Sequence, residues 1–519
     1  MAASVRRGQL WRTGVHCALV GALLSASALA APPTSLLPPV MEPAKAARPA
    51  AATTPVDQAA PTAQPVPIAA PPAPPPVVLP QLTDVQARQL ATLLAQNAVD
   101  QGLQEKESPL PATLSNEALV RAAVDQARAV RTGRLDQADF IKQWGIKPPP
   151  YDPLPGFADA IKRDRLAWWI TTLPPPYAGY DALVAGLARY REIAAAGGWP
   201  VLAAAPELKY GGKGPAVAAL RKRLAIEEPQ LDPAGDRFDD ALLEAVRRAQ
   251  RRYGLNPQGT IAAQTLAALN VPVAARIRQI MANMERWRWL PPELSKDRIQ
   301  VNIAAAVLTV FDGDAPVTSM KAVTGRPGDE TPMLVSEIHS IVINPPWNVP
   351  ATIAAKELWP KERARPGYLR RNGFKVISTP DGGKRLQQSS ARSALGHFKF
   401  DFPNEFAVYL HDTPQQGGFA RFDRLASHGC VRLEKPADLA KLLLKDTPEW
   451  PVDKIEDTVK GGKTVRAQMA ESMAVYLLYW TAFAGANGQM GFREDPYSWD
   501  ALLASRIEGR SAAKSLASR

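Results

Sequence analysis

The spacing of apolar residues changes period near Arg298, and the change divides the chain into a helical front and a β-rich rear. Before it, Leu183, Leu187 and Tyr190 recur at three and four residues within 180–196, the period of one helix face. After it, Ile299, Val301 and Ile303 alternate with polar or small residues, as a strand with one buried face requires. Strands are also expected at 337–344 and 406–411. An aromatic run at 475–483 followed by Gly485-Ala486-Asn487-Gly488 predicts a late hairpin returning to the same sheet. The expected class is therefore multidomain α+β.

The two ends add context. Arg6, Arg7 and Arg12 precede an apolar run from Cys17 to Ala30 that closes on Ala28-Leu29-Ala30, the pattern of a cleaved export signal at 1–30, with an uncleaved anchor as the alternative. Residues 31–81 are dominated by Pro and Ala, which bury too little apolar area to offset ordering, so a tether is expected. The formal charge of +12 falls to about +9 without the three signal arginines and points to a polyanionic partner. Export and the absence of zinc-finger or RNA-binding signatures exclude nucleic acid, leaving an anionic wall polymer.

Residues 82–207 are expected to form a helical scaffold, with Trp144, Trp168, Trp169, Tyr177 and Trp199 packed in its core. The segment 208–272 predicts three short helices near 217–224, 239–253 and 262–269. Its Gly214-Pro215-Ala216-Val217, Leu220, Leu224, Phe238, Ala245-Val246, Gln250, Tyr253-Gly254-Leu255, Gly259, Ile261 and Thr265-Leu266 resemble a peptidoglycan-binding domain of the first type. That resemblance implies wall binding.

Cys430 is the single cysteine left once the signal is removed. A buried free cysteine is ordinarily a small hydrophobe, but here it ends Ser427-His428-Gly429-Cys430, ahead of a helix expected from Pro436. Upstream, Val408-Tyr409-Leu410-His411 alternates so that Tyr409 and His411 share one face. A thiol attacks carbonyls as thiolate and needs a base or cation nearby; His411 or His428 can serve. Gly429 permits a sharp turn with N–H groups converging on one point. Gly461-Gly462-Lys463-Thr464 lacks the first glycine of a phosphate loop and predicts a plain turn. His339 and His397 have no partner motif and are expected to be structural.

This constellation resembles the YkuD-type L,D-transpeptidases, and most closely their large, YcbB-like members. The matching segments are His411 with Ser427-His428-Gly429-Cys430, Asn344-Pro345-Pro346-Trp347-Asn348-Val349-Pro350, Pro366-Gly367-Tyr368-Leu369, Ala394-Leu395-Gly396, Lys399-Phe400 and Tyr409 to Pro414. The departure is Gln387 to Arg392, where a Pro-Gly turn is usual. The resemblance implies a β-rich YkuD-like catalytic domain at 298–495 with a lid-like capping insertion at 347–388, followed by a C-terminal helix and tail at 496–519. It implies Cys430 as nucleophile, His411 as proton donor and acceptor, His428 and Gly429 as oxyanion or accessory groups, and Arg432, Tyr409, Trp347 and Tyr368 as substrate-binding residues. No cofactor or metal is expected.

The implied reaction joins a donor tetrapeptide stem to a diaminopimelate acceptor in the periplasm, making 3–3 cross-links through a cysteinyl thioester with release of D-alanine. Partners from the cell-wall synthesis machinery and inhibition by carbapenems follow from the same resemblance, and membrane contact is limited to an uncleaved signal. The alternatives are an L,D-carboxypeptidase, a non-catalytic wall-binding scaffold, and a zinc site built from His411, Asp412, His428 and Cys430.

Overall fold

The computed structural model describes residues 79–104, 114–206, 208–485 and 487–517. The expected signal and all but the last three residues of the expected tether lie outside them. Among the described residues no helix is long and apolar enough to cross a membrane.

Helices α1 (Asp84–Asp100), α2 (Asn116–Thr132), α3 (Leu154–Lys162) and α4 (Leu166–Thr171) pack around Leu90, Leu94, Val120, Phe157 and Trp169. Ser115 starts α2 because its hydroxyl accepts from Ala118 N–H at 3.2 Å, satisfying a donor that the first turn leaves unpaired. Trp144, Trp169 and Tyr177 are buried as expected. Trp168 is not: it stays 55% exposed, its ring covered by the Arg165 guanidinium at 4.5 Å. A helix six residues long cannot turn two adjacent indoles toward one core.

α5 (Ala178–Ala195) is followed by the module α6 (Pro215–Ala225), α7 (Asp240–Arg252) and α8 (Ala263–Leu269), the three helices expected there. The apolar spacing did not flag α9 (Val273–Trp287), which packs along α5. Its periodicity is masked by charge, since Glu285, Arg286 and the following Arg288 are all buried. Glu285 receives Arg134 at 3.1 Å and Arg288 at 2.9 Å, so those charges sit inside only because they are paired.

The rear of the chain holds β1 (Asp297–Asn302), β2 (Val307–Asp312), β3 (Ala315–Gly325) and β4 (Leu334–Ile343). An insertion follows: β5 (Trp347–Asn348), α10 (Ala351–Ile353), a π-helical turn (Ala354–Leu358), α11 (Trp359–Ala364), α12 (Tyr368–Arg371), β6 (Phe374–Ser378) and β7 (Lys384–Gln388). Then come β8 (Phe398–Asp401), β9 (Leu410–His411), β10 (Leu425–Ser427), β11 (Val431–Leu433), α13 (Pro436–Leu443), α14 (Val452–Gly461), β12 (Val465–Leu478), β13 (Ala482–Ala484), β14 (Met490–Phe492) and α15 (Trp499–Ala517).

One sheet runs β10-β3-β11-β9-β8-β4-β12-β1-β2. Because β3 also pairs with β2, the strands from β3 to β2 close into a ring, with β10 paired on its β3 side alone. Inward positions carry Ile299, Val301, Ile341, Phe400, Leu410, Val431 and Leu433, all fully buried. The insertion forms its own three-stranded sheet, β5-β7-β6, over a small core of Val349, Ala354, Leu358, Leu369 and Leu386.

Two expectations differ from the structure. The strand expected at 406–411 is confined to Leu410–His411, because Asn404 Oδ1 accepts from Phe406 and Val408 N–H and Ala407 takes a positive φ of 55°. The late aromatic run rejoins the large sheet only through Val475–Leu478 at the end of β12, and the hairpin after it does not. β13 and β14 pair only with each other, and Thr481 before them is bound instead to Asn283 of α9, at 3.0 and 2.8 Å.

Candidate active site

Three neighbouring strands set the site by register. His411 of β9 is paired with Lys399 of β8 on one side and with Arg432 of β11 on the other. Their neighbours Phe400, Leu410 and Val431 point into the core, so alternation sends Lys399, His411 and Arg432 to the outer face. Two residues earlier along the parallel pair lie Tyr409 and Cys430, side by side, with Val431 N–H donating to Tyr409 O at 3.1 Å. Cys430 is therefore abreast of Tyr409 and diagonal to His411.

The turn that delivers the sulfur is tightly braced. Gly429 has φ +105°, a conformation that L side chains rarely adopt. Its N–H donates to Ser427 Oγ at 3.2 Å, and that hydroxyl donates to Cys430 O at 2.6 Å. The Gly429 N–H is thus engaged by Ser427 within the turn. Gly429 O accepts from Thr331 Oγ1 at 2.7 Å, and the Tyr497 hydroxyl accepts from Thr331 N–H at 3.3 Å and donates to Gly325 O at 2.5 Å. Sequence reasoning missed Thr331 and Tyr497, which lie about a hundred and seventy residues apart and carry no motif.

His411 is buried, and its Nδ1 donates to the Asp412 carbonyl at 2.5 Å. A carbonyl only accepts, so Nδ1 carries the proton and Nε2 the lone pair. Burial, with Arg432 and Lys399 nearby, pulls the imidazole down to about 3, so it is neutral at pH 7. Asp412 fixes this strand end: its carboxylate accepts from His397 N–H at 2.7 Å and Thr413 N–H at 2.6 Å. Gly396 is required beneath it, because a Cβ there would lie 2.3 Å from Asp412 Cγ.

Cys430 is half-buried. Burial pushes its thiol up, against the opposing pull of the Tyr409 N–H and hydroxyl and the charges of Lys399 and Arg432. Tyr409, whose own proton affinity is raised by burial and by Cys430, also receives a hydrogen bond from the Trp347 side chain. Lys399 Nζ sits 4.2 Å from the centre of the Tyr409 ring and 2.6 Å from Asp401. Burial lowers the Arg432 guanidinium, against a smaller opposing pull from Cys430, and among the described residues that guanidinium meets no carboxylate.

The remaining expected residues fall elsewhere. His428 is turned to Glu357 of the insertion, its Nε2 at 2.5 Å from Oε1. Tyr368 packs on the insertion's own core. His397 bonds Asn344 at 2.9 Å, and His339 is an exposed residue of β4. Among the described residues no group of three side chains from the alternative zinc set or elsewhere could hold a metal.

The closed sheet thus carries a thiol, a neutral imidazole and two cations on one outer face, under an insertion. Residues 296–453 match the YkuD family, the L,D-transpeptidase catalytic domain; residues 80–187 match a scaffold domain and 213–269 a peptidoglycan binding domain. Successive segments of the chain thus match a scaffold domain, a peptidoglycan binding domain and a YkuD catalytic domain. A curated Haemophilus influenzae protein, provisionally named an L,D-transpeptidase, is 32% identical over 240 residues, 43% of this chain and 48% of that protein. The match spans about half the length of that relative. Among solved structures, the Mycobacterium smegmatis L,D-transpeptidase is 15% identical over 35% of this chain and 58% of that one, with a TM-score of 0.19. The E. faecium L,D-transpeptidase catalytic domain acylated by ertapenem is 12% identical over 36% of this chain and 99% of that one, with a TM-score of 0.17.

Proposed function

We propose that this protein is an exported peptidoglycan L,D-transpeptidase that forms 3–3 cross-links, with Cys430 as nucleophile. The observation that carries the reading is the outer-face register: Cys430 beside Tyr409, diagonal to His411, and flanked by Arg432 and Lys399. The thiol sulfur attacks the carbonyl of the third stem residue. Its proton passes to His411 Nε2, the free lone pair, and then to the departing nitrogen of terminal D-alanine, leaving a thioester. The diaminopimelate amine of a second stem attacks that thioester. It gives its proton to His411 and restores the thiol as the new amide forms.

A raised thiol beside a lowered imidazole makes the resting pair neutral. Proton transfer then accompanies attack instead of preceding it. Tyr409 supports the nascent thiolate by its hydroxyl and N–H, and Trp347 steadies Tyr409 from the cap. The Arg432 guanidinium suits a stem carboxylate, because a half-buried cation that meets no carboxylate among the described residues favours an anion. The wall-binding module at 213–269 would hold the enzyme on its polymer.

Incubation with disaccharide tetrapeptides tests the reading. The parent protein is expected to yield a dimer mass and D-alanine, and Cys430→Ala neither. Equal dimer formation by Cys430→Ala would overturn it.

A further inference from the structure

The cap is an autonomous piece of structure. It has its own sheet and core and leaves and rejoins the body through Trp347 and the residues after Gln388. Away from those roots, the polar links from cap to body among the described residues all run through one side chain, Glu357. Its Oε1 lies 2.5 Å from His428 Nε2 and 3.9 Å from Arg326 Nη2. Both partners bear on the catalytic turn: His428 stands in it two residues before Cys430, and Arg326, just after β3, donates its N–H to Ser427 O at 3.1 Å.

The local backbone has a matching peculiarity. Glu357 sits in a five-residue π-helical turn, Ala354–Leu358, between two short α-helices. Such turns widen the helix by one residue and are found mostly where a side chain is re-aimed for function. Here the turn buries Ala354 and Leu358 in the cap core while presenting Glu357 to the body. Lys361, one α-turn on, lies 3.8 Å from the same carboxylate, so Glu357 is surrounded by cationic or protonatable groups.

We propose that Glu357 is a positioning residue that sets the enzyme's choice of acceptor: by holding His428 it seats the cap over the acylated Cys430, so that an amine-bearing stem displaces the thioester in preference to water. The inference rests on the thioester reading above. Two reactions compete for the same intermediate. An incoming amine gives an amide and returns the thiol, whereas water gives a free carboxylic acid and returns the thiol. Excluding solvent and ordering the acceptor are the usual work of a closing lid. The side chains of Glu357 and His428 remain 33% and 27% exposed, and pairs so exposed are weak. A weak clasp suits a cap that must open for each donor stem. It also gives His428 a task separate from the sulfur, which His411 and Tyr409 attend.

The test uses the full chain with Glu357→Ala and Glu357→Asp, and disaccharide tetrapeptide as substrate. D-alanine release reads acylation, the ratio of cross-linked dimer to free tripeptide reads the acceptor choice, and tryptic cleavage after Lys361 or Arg363 reads cap release. For Glu357→Ala the ratio is expected to fall about fivefold, the upper reach of an exposed pair, with faster cleavage in the cap and D-alanine release within about twofold of the parent. Glu357→Asp is expected to recover part of the ratio. An unchanged ratio in a folded Glu357→Ala protein would overturn the proposal, as would a loss of D-alanine release with the ratio preserved. Failure of the underlying reading is separable, because it is reported by D-alanine release that persists in Cys430→Ala.

Discussion

Two glutamates join parts of this molecule, and they do it in opposite ways. Glu227, just after α6 of the wall-binding module, is buried beneath Arg223 at 2.8 Å and Arg252 at 3.3 Å, with hydroxyls of Tyr253 and of Tyr190 from α5 each at 2.5 Å. Glu357 joins the cap to His428 of the Ser427–Cys430 turn while a third of it stays in water. Burial alone would raise the Glu227 carboxyl, but Arg223 and Arg252 outweigh it and carry it down to about 2. The first junction is built to stay shut and the second to open. The difference lies in solvent, since a pair removed from water cannot lose one member without stranding the other.

The largest expected effect breaks the buried junction. Glu227→Ala strands Arg223, leaves Arg252 with Glu228 alone, and should cost about 3–5 kcal/mol, as removing one partner from buried pairs does; urea unfolding of the full chain measures it. Acid should do the same in graded form. The Glu227 carboxyl is lower folded than at its ordinary 4.5, so its contribution is present above 4.5 and is lost as pH falls toward 2. The buried His411 adds to this: with a folded value of about 3 against 6.5, the unfolded chain binds the proton first, and stability declines from pH 6.5 toward 3. A thermal midpoint that held level from pH 7 to 3 would refute both assignments.

The third effect concerns the sulfur. Because burial pushes Cys430 up while His411 stays neutral, iodoacetamide should alkylate Cys430 about tenfold faster per pH unit from 6 to 8. A rate independent of pH there would mean a preformed thiolate–imidazolium pair. The smallest effect completes the contrast. Glu357→Ala should shift unfolding by under about 1 kcal/mol while altering product partition, and a loss as large as that for Glu227→Ala would erase the distinction.

How far the sequence reaches is visible in the same residues. Alternation alone puts Tyr409 and His411 on one face, and the Ser427-His428-Gly429-Cys430 turn announces itself, because both are local consequences of backbone geometry. The helices of the wall-binding module are legible for the same reason. Helix α9 was not, since buried Glu285, Arg286 and Arg288 read as a solvated face until their partners are seen. The 406–411 strand was drawn too long because Asn404 captures the backbone there.

The amino-acid order by itself determined which atoms are available for chemistry: the Cys430 thiol, its glycine turn, and an imidazole on a strand with known parity. Only the folded arrangement decided their partners. Whether Cys430 sits abreast of Tyr409 or of His411 depends on the register of two parallel strands, and His428 meets Glu357 across 71 residues. Register and long-range closure are set by the packing of the whole sheet and its cap, and no short stretch of chain contains that information.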